Sequence, residues 1–422
     1  MIIDRLTMRL LHVGWLSICC VLLAAQVSLG DTLRVVTNNS LQFHGQQNSD
    51  RVPYFRTVMR AIHPDVVMME EVASEQAMDY MLAQVYAQLD TDWATANFMP
   101  NGDLNNTCFY RQSKVALVSQ RAIATDLRDI NEYVLRPVSG DTTARLHIFA
   151  AHLKANNDSA SASRRGREAA IARQQTDALP AGTNFLICGD FNLYSSSETA
   201  WQNLTVPGSN PNGQFNDPVN RVGAWHDNPA YADVHTQSTR VADLGDGGAT
   251  GGLDDRFDFI LVSNAMMDST GSHVIPGTYH AYGNDGQHLN RAINDGTNLV
   301  VPDSIAYALC HATDHLPVVV DMVLGGDGGD RAVTIPSPND FAVWSCYPNP
   351  FNSVLTIKLP ALPRGSISIF DILGRRIFDQ DLRHDATATT LQVDFSRFGS
   401  GTYFVELRTP AASAVQRVSY VR

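Results

Sequence analysis

Thr183-Asn-Phe-Leu-Ile-Cys-Gly-Asp-Phe-Asn-Leu-Tyr194 is the stretch from which the fold is read. Asn184 to Cys188 is short and apolar after its first residue, the form of a buried strand rather than a helix. Gly189 follows, where the backbone can turn sharply without a Cβ penalty. Asp190 and Asn192 come next. In an open α/β sheet, chemistry gathers at the carboxyl ends of the strands. A carboxylate and an amide two residues apart could there hold a water, a metal and a phosphate oxygen together. Taken alone, Gly-Asp-Phe-Asn is better explained as an Asx turn capping a loop.

Four further apolar runs adjoin polar residues in the same manner. Asn39 follows Leu33–Thr37, Glu71 follows Val66–Met69, and His152 follows Leu146–Ala151. Asp314-His315 lies just ahead of Leu316–Leu324. Helical stretches alternate with them. Ser74 is placed to cap a helix running to Leu89, whose Met78, Met81, Leu82, Val85, Tyr86 and Leu89 keep the helical period of a core-facing stripe. A second helix is expected over Ser163 to Leu179, carrying Arg164, Arg165, Arg167 and Arg173. These cations follow His152 closely enough to meet substrate phosphates, but a solvated helix face is the plainer reading. The alternation defines an α/β class for residues 31–324.

The chain has 422 residues, too many for one ordinary core, so two or more domains are expected. Hydrophobic residues at 44% and charged residues at 18% exclude a disordered chain. With a net charge of −12 no global positive field attracts nucleic acid, so any such binding must be local and aided by cations. Of six cysteines, Cys108, Cys188, Cys310 and Cys346 lie beyond the leader. No Cys-x-x-Cys pair exists, which argues against a thiolate zinc site. Cys188 and Cys310 each precede a proposed site segment and could approach one another; two small buried hydrophobes is the preferred reading.

Residues 1–30 have the form of a secretory signal peptide: Arg5 and Arg9, an apolar Leu10–Ala25, then Ser28 and Gly30. Its apolar core is interrupted by His12 and is shorter than the ~20 residues a membrane span requires, so no transmembrane span is expected after leader removal. Asp243–Gly252 is a Gly/Asp run that could bind Ca²⁺ as a structural ion, though flexible-loop composition is the simpler account. Residues 325–339 read as a linker that opens on a Gly/Asp run. Residues 340–422 then carry short alternating strands that suggest a small β-sandwich. Cys346-Tyr-Pro-Asn-Pro-Phe351, Asp371-Ile-Leu-Gly374, Gly401-Thr-Tyr-Phe404 and the basic end at Arg422 resemble the C-terminal sorting domains of type 9 secretion (T9SS). The resemblance implies contact with that secretion machinery, transfer across the outer membrane, and a secreted or cell-surface protein. An ordinary Ig-like accessory module is the alternative.

Over Leu33 to Leu324, the site segments in their order resemble the endonuclease/exonuclease/phosphatase superfamily of metal-dependent phosphodiesterases. The resemblance implies a four-layer sandwich of two packed mixed β-sheets flanked by helices, with the site at one end. It also implies roles. Asn39, Glu71 and Asp314 would take part in binding Mg²⁺ or Mn²⁺, hard cations suited to oxygen ligands. Glu70 stands where the family shows Gln, which leaves open which of the two adjacent Glu residues binds. His152 would protonate the leaving oxygen or stabilise the phosphoryl charge. Gln112, in Phe109-Tyr-Arg-Gln112, would stand where the deoxyribonuclease branch has a Glu holding this His. Asp190 would align or deprotonate water, and Asn192 would orient a phosphate oxygen. Asp258, inside an apolar strand read as Arg256–Ser263, would orient His315 as in a catalytic triad.

The expected activity is that of a secreted, monomeric, metal-dependent phosphodiester hydrolase, a nuclease acting on extracellular nucleic acid. A sphingomyelinase-like or inositol-phosphate hydrolase keeps the chemistry and changes the substrate, and Phe98-Met-Pro100 is the one modest apolar rim that would meet lipid. A surface-displayed binding protein with an inactive catalytic domain is the reading from another class.

Overall fold

A computed structural model of the chain describes residues 31–102, 104–208, 210–268, 271–325, 345–359, 365–371, 375–382, 389–408 and 413–422. The expected leader, the expected linker beyond Gly325 and the tail residues 372–374 lie outside them.

The first half of the large domain comprises β1 (Asp31–Phe43), α1 (Val52–Ile62), β2 (Val66–Val72), α2 (Glu75–Gln84), β3 (Trp93–Thr95), β4 (Asn105–Arg111), β5 (Val115–Ile123) and β6 (Ile130–Pro137). The second half comprises β7 (Leu146–Ala150), α3 (Ser159–Asp177), β8 (Asn184–Asp190), α4 (Thr199–Thr205), β9 (Phe215–Asn216), β10 (Asp258–Ser263), α5 (Asn264–Met267), β11 (His273–Val274), β12 (His280–Ala281), α6 (Asp303–Ala312) and β13 (Val318–Leu324). One sheet has the order β11-β13-β1-β2-β4-β3, with β12 also on β13; the other has the order β5-β6-β7-β8-β10-β9. Both are mixed, since β1 pairs β2 in parallel and β7 pairs β8 in parallel while their neighbours run antiparallel.

The central strands are apolar on both faces because both faces are covered. Leu33 and Val35 of β1 and Val66 and Met68 of β2 pack between the sheets, against Leu146, Ile148, Leu186 and Ile260. The intervening Val36, Val67 and Met69 point the other way, onto Phe55, Met81 and Leu309 of the helices α1, α2 and α6. On the far side, Phe149, Phe185 and Ile187 meet Ala169 and Trp201 from α3 and α4. Two packed mixed β-sheets flanked by helices result, the four-layer architecture expected.

Ser74 caps α2 as anticipated, accepting from the Ala77 N–H at 3.2 Å. The helix ends at Gln84, and a short 3-10 turn then carries Tyr86 into the core. The second expected helix begins four residues earlier, at Ser159, because Asp158 caps it through the Ser161 N–H at 2.9 Å. Its arginines do not form one solvated face. Arg165 is fully buried, donating to Glu198 at 2.7 Å and to the carbonyls of Lys154 and Asn156. Arg173 is also buried and holds the carbonyls of Val206 and Asn210. Cys188 sits in the core between the sheets and Cys310 in the helix-covered core, and all four described cysteines are free. Among the described residues no helix is long and apolar enough to cross a membrane.

The tail is built from β14 (Ser345–Tyr347), β15 (Val354–Leu359), β16 (Gly365–Asp371), β17 (Arg376–Leu382), β18 (Thr389–Asp394), β19 (Gly401–Arg408) and β20 (Ser413–Tyr420). Antiparallel sheets β14-β15-β18 and β17-β16-β19-β20 share a core of Phe351, Leu355, Ile369, Phe395, Tyr403 and Val405.

Candidate active site

Gly189 opens the site. Its φ is +130°, and a Cβ there would lie 2.1 Å from the Ala151 carbonyl oxygen. Only glycine lets β8 approach the exit of β7 so closely. The strand therefore delivers Asp190 beside His152. Asp190 Oδ1 accepts from the Asn192 N–H at 3.0 Å, and its Oδ2 accepts from Asn39 Nδ2 at 3.0 Å. Asn192 has a left-handed backbone at φ +51° and donates from Nδ2 to the Leu153 carbonyl.

Glu70 and Glu71 end up with opposite fates. The pairing of β2 with β4 shifts between Met69 and Val72, and Glu71 adopts φ +61° within that irregularity. Glu71 opens onto the cavity, its Oε1 accepting from Asn39 Nδ2 at 3.1 Å and its Oε2 from the Gln42 N–H at 2.9 Å. Glu70 is wholly buried, accepts from Thr37 Oγ1 at 2.8 Å, and leaves Oε2 without a partner. Burial, and then the Asp258 charge, push its carboxyl well above the ordinary range. Backbone geometry thus brings Glu71, and not Glu70, to the cavity.

His152 Nε2 stands 3.6 Å from Asp190 Oδ2 and 3.8 Å from Glu71 Oε1. Burial, with Arg128 and His315 nearby, holds this imidazole well below its usual pKa, in the neutral form. Its Nδ1 is buried without a partner. Gln112 is not that partner. In β4, Tyr110 lies opposite Val66 and Asn105 opposite Val72, so Gln112 sits beyond the end of the strand remote from Glu71. Residue spacing after an arginine cannot reveal that β4 runs away from the site.

Asp258 and His315 pair as expected, His315 Nδ1 donating to Asp258 Oδ2 at 2.7 Å. Burial alone would lower the His315 pKa, but Asp258, Asp314 and Asp190 outweigh it and hold the group well above its usual value. Asp190 is raised to about 7, first by burial, against the lowering effect of His315 and with Asp258 and Glu71 adding to the rise.

Asp314 lines the same cavity, of about 270 Å³, together with Glu71, His152, Asp190, Asn192 and His315. Its Oδ2 accepts from the Ala249 N–H at 2.7 Å and from Gln237 Nε2 at 3.1 Å. Gln237 was not anticipated. Its Nε2 also lies 2.6 Å from His315 Nε2, so it bridges the acid and the imidazole. With Nδ1–H donated to Asp258, a neutral His315 accepts at Nε2 from this amide; protonation requires the amide to turn over. Nothing in the loop-rich stretch around Gln237 marks it, because its role depends on a bridge to Asp255 and His315. Asn39 uses Nδ2 on the two carboxylates, while its Oδ1 accepts from the Leu41 N–H at 2.9 Å. In this arrangement it aligns Glu71 and Asp190 rather than offering its own oxygen.

Among the described residues, Glu71, His152 and Asp190 offer three ligand atoms within 4.8 Å of one another. A second such group is His226, Asp254 and Asp255. The Asp243–Gly252 run is in neither. Asp246 there accepts from Arg240 with both carboxylate oxygens, at 2.8 and 2.9 Å, a salt bridge that ties this loop. In the modest candidate rim Phe98-Met-Pro100, Phe98 and Met99 are partly buried, against the helix-covered core and the core between the sheets, while Pro100 is exposed.

Fold and site together define a phosphate-ester hydrolase scaffold. Residues 41–315 match the model of the Endonuclease/Exonuclease/phosphatase family, and the chain belongs to that family, whose members hydrolyse phosphodiesters or phosphate esters. Residues 345–420 match the secretion system C-terminal sorting domain, which places the protein in secretion and at the cell surface. Similar solved structures include D. rerio TDP2 complexed with single strand DNA product, at 14% identity over 69% of this chain and 99% of that one, with a TM-score of 0.48. The human Nocturnin catalytic domain with bound sulfate anion is 17% identical over 71% and 96%, at 0.44. An endonuclease/exonuclease/phosphatase from Beutenbergia cavernae is 14% identical over 92% and 100%, also at 0.44. No curated protein matches the chain.

Proposed function

We propose that the protein is a secreted, divalent-metal-dependent phosphodiesterase, and that its substrate is extracellular nucleic acid. The observation that carries this reading is the convergence of Glu71, His152, Asp190, Asn192 and the Asp258–His315 pair, drawn from far-apart strand ends, on one cavity. Glu71 and Asp190, with His152 beside them, bring ligand atoms close enough together for a divalent cation, and the two carboxylates are the oxygen donors that such an ion would take. Mg²⁺ or Mn²⁺ held there supplies charge neutralisation at the phosphoryl oxygens.

The chain's own groups do the rest. Asp190, with a pKa of about 7, is suited to align a water and accept its proton. Asp258 fixes the His315 tautomer and favours the imidazolium, which can donate from Nε2 to a phosphoryl oxygen once Gln237 yields. His152 is neutral in this arrangement; a phosphate placed beside it favours its protonated form, which can then donate to the leaving oxygen. Asn192 lines the cavity, where its amide can orient a phosphate oxygen.

The lipid reading has only a small apolar surface behind it, since Phe98 and Met99 are partly packed against the cores. The test is plasmid nicking in Mg²⁺ with and without EDTA, beside phosphocholine release from vesicles. Nicking that disappears in EDTA and in Asp190→Ala and His315→Ala supports the reading. Undiminished nicking in EDTA, or in both variants, refutes it; phosphocholine release without nicking redirects it to lipid.

A further inference from the structure

Beside the catalytic cavity lies a second one, of about 460 Å³, lined by Lys154, Ala160, Ser161, Ser163, Arg164 and Arg167. The two share one chain segment. His152, Ala155 and Asn156 line the catalytic cavity, Lys154 lines the basic one, and Lys154 Nζ donates to the Ala155 carbonyl at 2.9 Å. Buried Glu168 of α3 accepts the Lys154 N–H at 3.0 Å and so pins this segment against the helix. Asp158 already caps the first turn of α3, so the positive charge of the cavity comes from its side chains. Arg167 is partly neutralised by Asp126 at 2.7 Å. Arg164 pairs with no carboxylate among the described residues, and Arg165 is committed to Glu198.

This cationic group stands out against its setting. The chain carries a net charge of −12, and Glu71, Asp190 and Asp314 line the neighbouring cavity. A substrate with one phosphate has no use for cations placed beyond the reacting centre. A strand with consecutive phosphates does, and in an acidic protein such contacts must be local. We propose that the cavity formed by Lys154, Arg164 and Arg167 is a subsite for a non-reacting phosphate of a nucleic-acid strand, adjacent to the phosphate that is cleaved. The proposal rests on the nuclease reading above and gives it a strand-binding element. Lys154 and Arg164 act on binding, so their removal weakens the use of strands and leaves a lone diester untouched.

The experiment compares the native chain with Lys154→Ala, Arg164→Ala and the double variant in Mg²⁺. One substrate is bis(4-nitrophenyl) phosphate, which has a single phosphate; the other is an eight-nucleotide single strand. The expected result is a kcat/KM on the octamer about tenfold lower in each single variant and lower again in the double, carried by KM. The slope of log KM against log salt falls by about one for each residue removed. Hydrolysis of the aryl diester stays within about twofold of native. Octamer kinetics and salt slope unchanged in the double variant would overturn the subsite while leaving the nuclease reading intact. Equal losses on both substrates would also overturn it, because the residues would then support the catalytic cavity itself. A native protein that cleaves the aryl diester but no strand would overturn the nuclease reading and the subsite together.

Discussion

Glu70→Gln tests how the buried acid beneath the site is held. Glu70 is wholly buried, has one hydrogen bond from Thr37, and feels the charge of Asp258. Its folded pKa therefore lies well above the ordinary carboxyl value of 4.5. The folded state keeps the proton while the unfolded chain releases it near 4.5, so the folded state binds more protons and stability falls as pH rises. Between 4.5 and the folded value, each pH unit costs ~1.4 kcal/mol relative to a group that does not titrate. Glutamine is such a group, of nearly the same shape, and can still accept from Thr37. Urea unfolding of the native chain and Glu70→Gln at pH 5 and pH 6 checks this. The variant's stability advantage should grow as pH rises over that unit, by at most the ~1.4 kcal/mol that one proton per pH unit allows. An advantage independent of pH, or one that shrinks as pH rises, refutes the account and means that Glu70 is ionised in the folded protein.

Three further outcomes follow from the geometry. Asp258→Asn removes the charge that holds His315, and initial rates should fall by about 10³-fold or more with the fold intact, a loss of the size seen when a triad carboxylate becomes an amide; a loss below tenfold would show that His315 needs no anionic partner. Gly189→Ala places a Cβ 2.1 Å from the Ala151 carbonyl at φ +130°, so denaturant melts should show at least about 3 kcal/mol of destabilisation. Asp217 forms two 2.9 Å hydrogen bonds with fully buried Arg256, and its removal in Asp217→Ala should cost about 3–5 kcal/mol by stranding that charge. Burial alone would raise the Asp217 pKa, but Arg256 holds it below the usual value. The pair's contribution is thus full above about pH 4 and lost as pH falls further, so the gap between native and Asp217→Ala melts should narrow below that pH.

The sequence made legible those strands that are buried on both faces. β1, β2, β7, β8 and β13 read as apolar runs because one side packs on the other sheet and the other on helices. β5 did not read so, since Val118, Ser119 and Arg121 face outward from the edge of its sheet. β6 hid behind Asn131 and Glu132, polar residues that are buried only because Asn106 and His147 meet them. α1 is legible as well: Val52, Phe55, Val58, Met59 and Ile62 keep the helical period, with Pro53 in the first turn. Arg165 illustrates the opposite limit. Its burial depends on Glu198, thirty-three residues away, which no local pattern announces.

The site itself divides along the same line. Residue types at strand ends could be named, but strand ends alone do not make them meet. Side chains of successive strand residues point to opposite faces, so Glu70 and Glu71 are interchangeable on paper. A left-handed backbone at Glu71, a second at Asn192, and a φ at Gly189 open only to glycine turn the chain at three points of the rim. Each such turn in a non-glycine residue costs of order 1–3 kcal/mol, and here each is held by specific partners: Asn39 and Gln42 for Glu71, Asp190 and Leu153 for Asn192. The hydrogen bonds that hold the strained residues are also the ones that aim the carboxylates. Rigidity and placement of the candidate ligands therefore have one cause, and relaxing the backbone at Glu71 would cost the site its geometry before it cost the fold its stability.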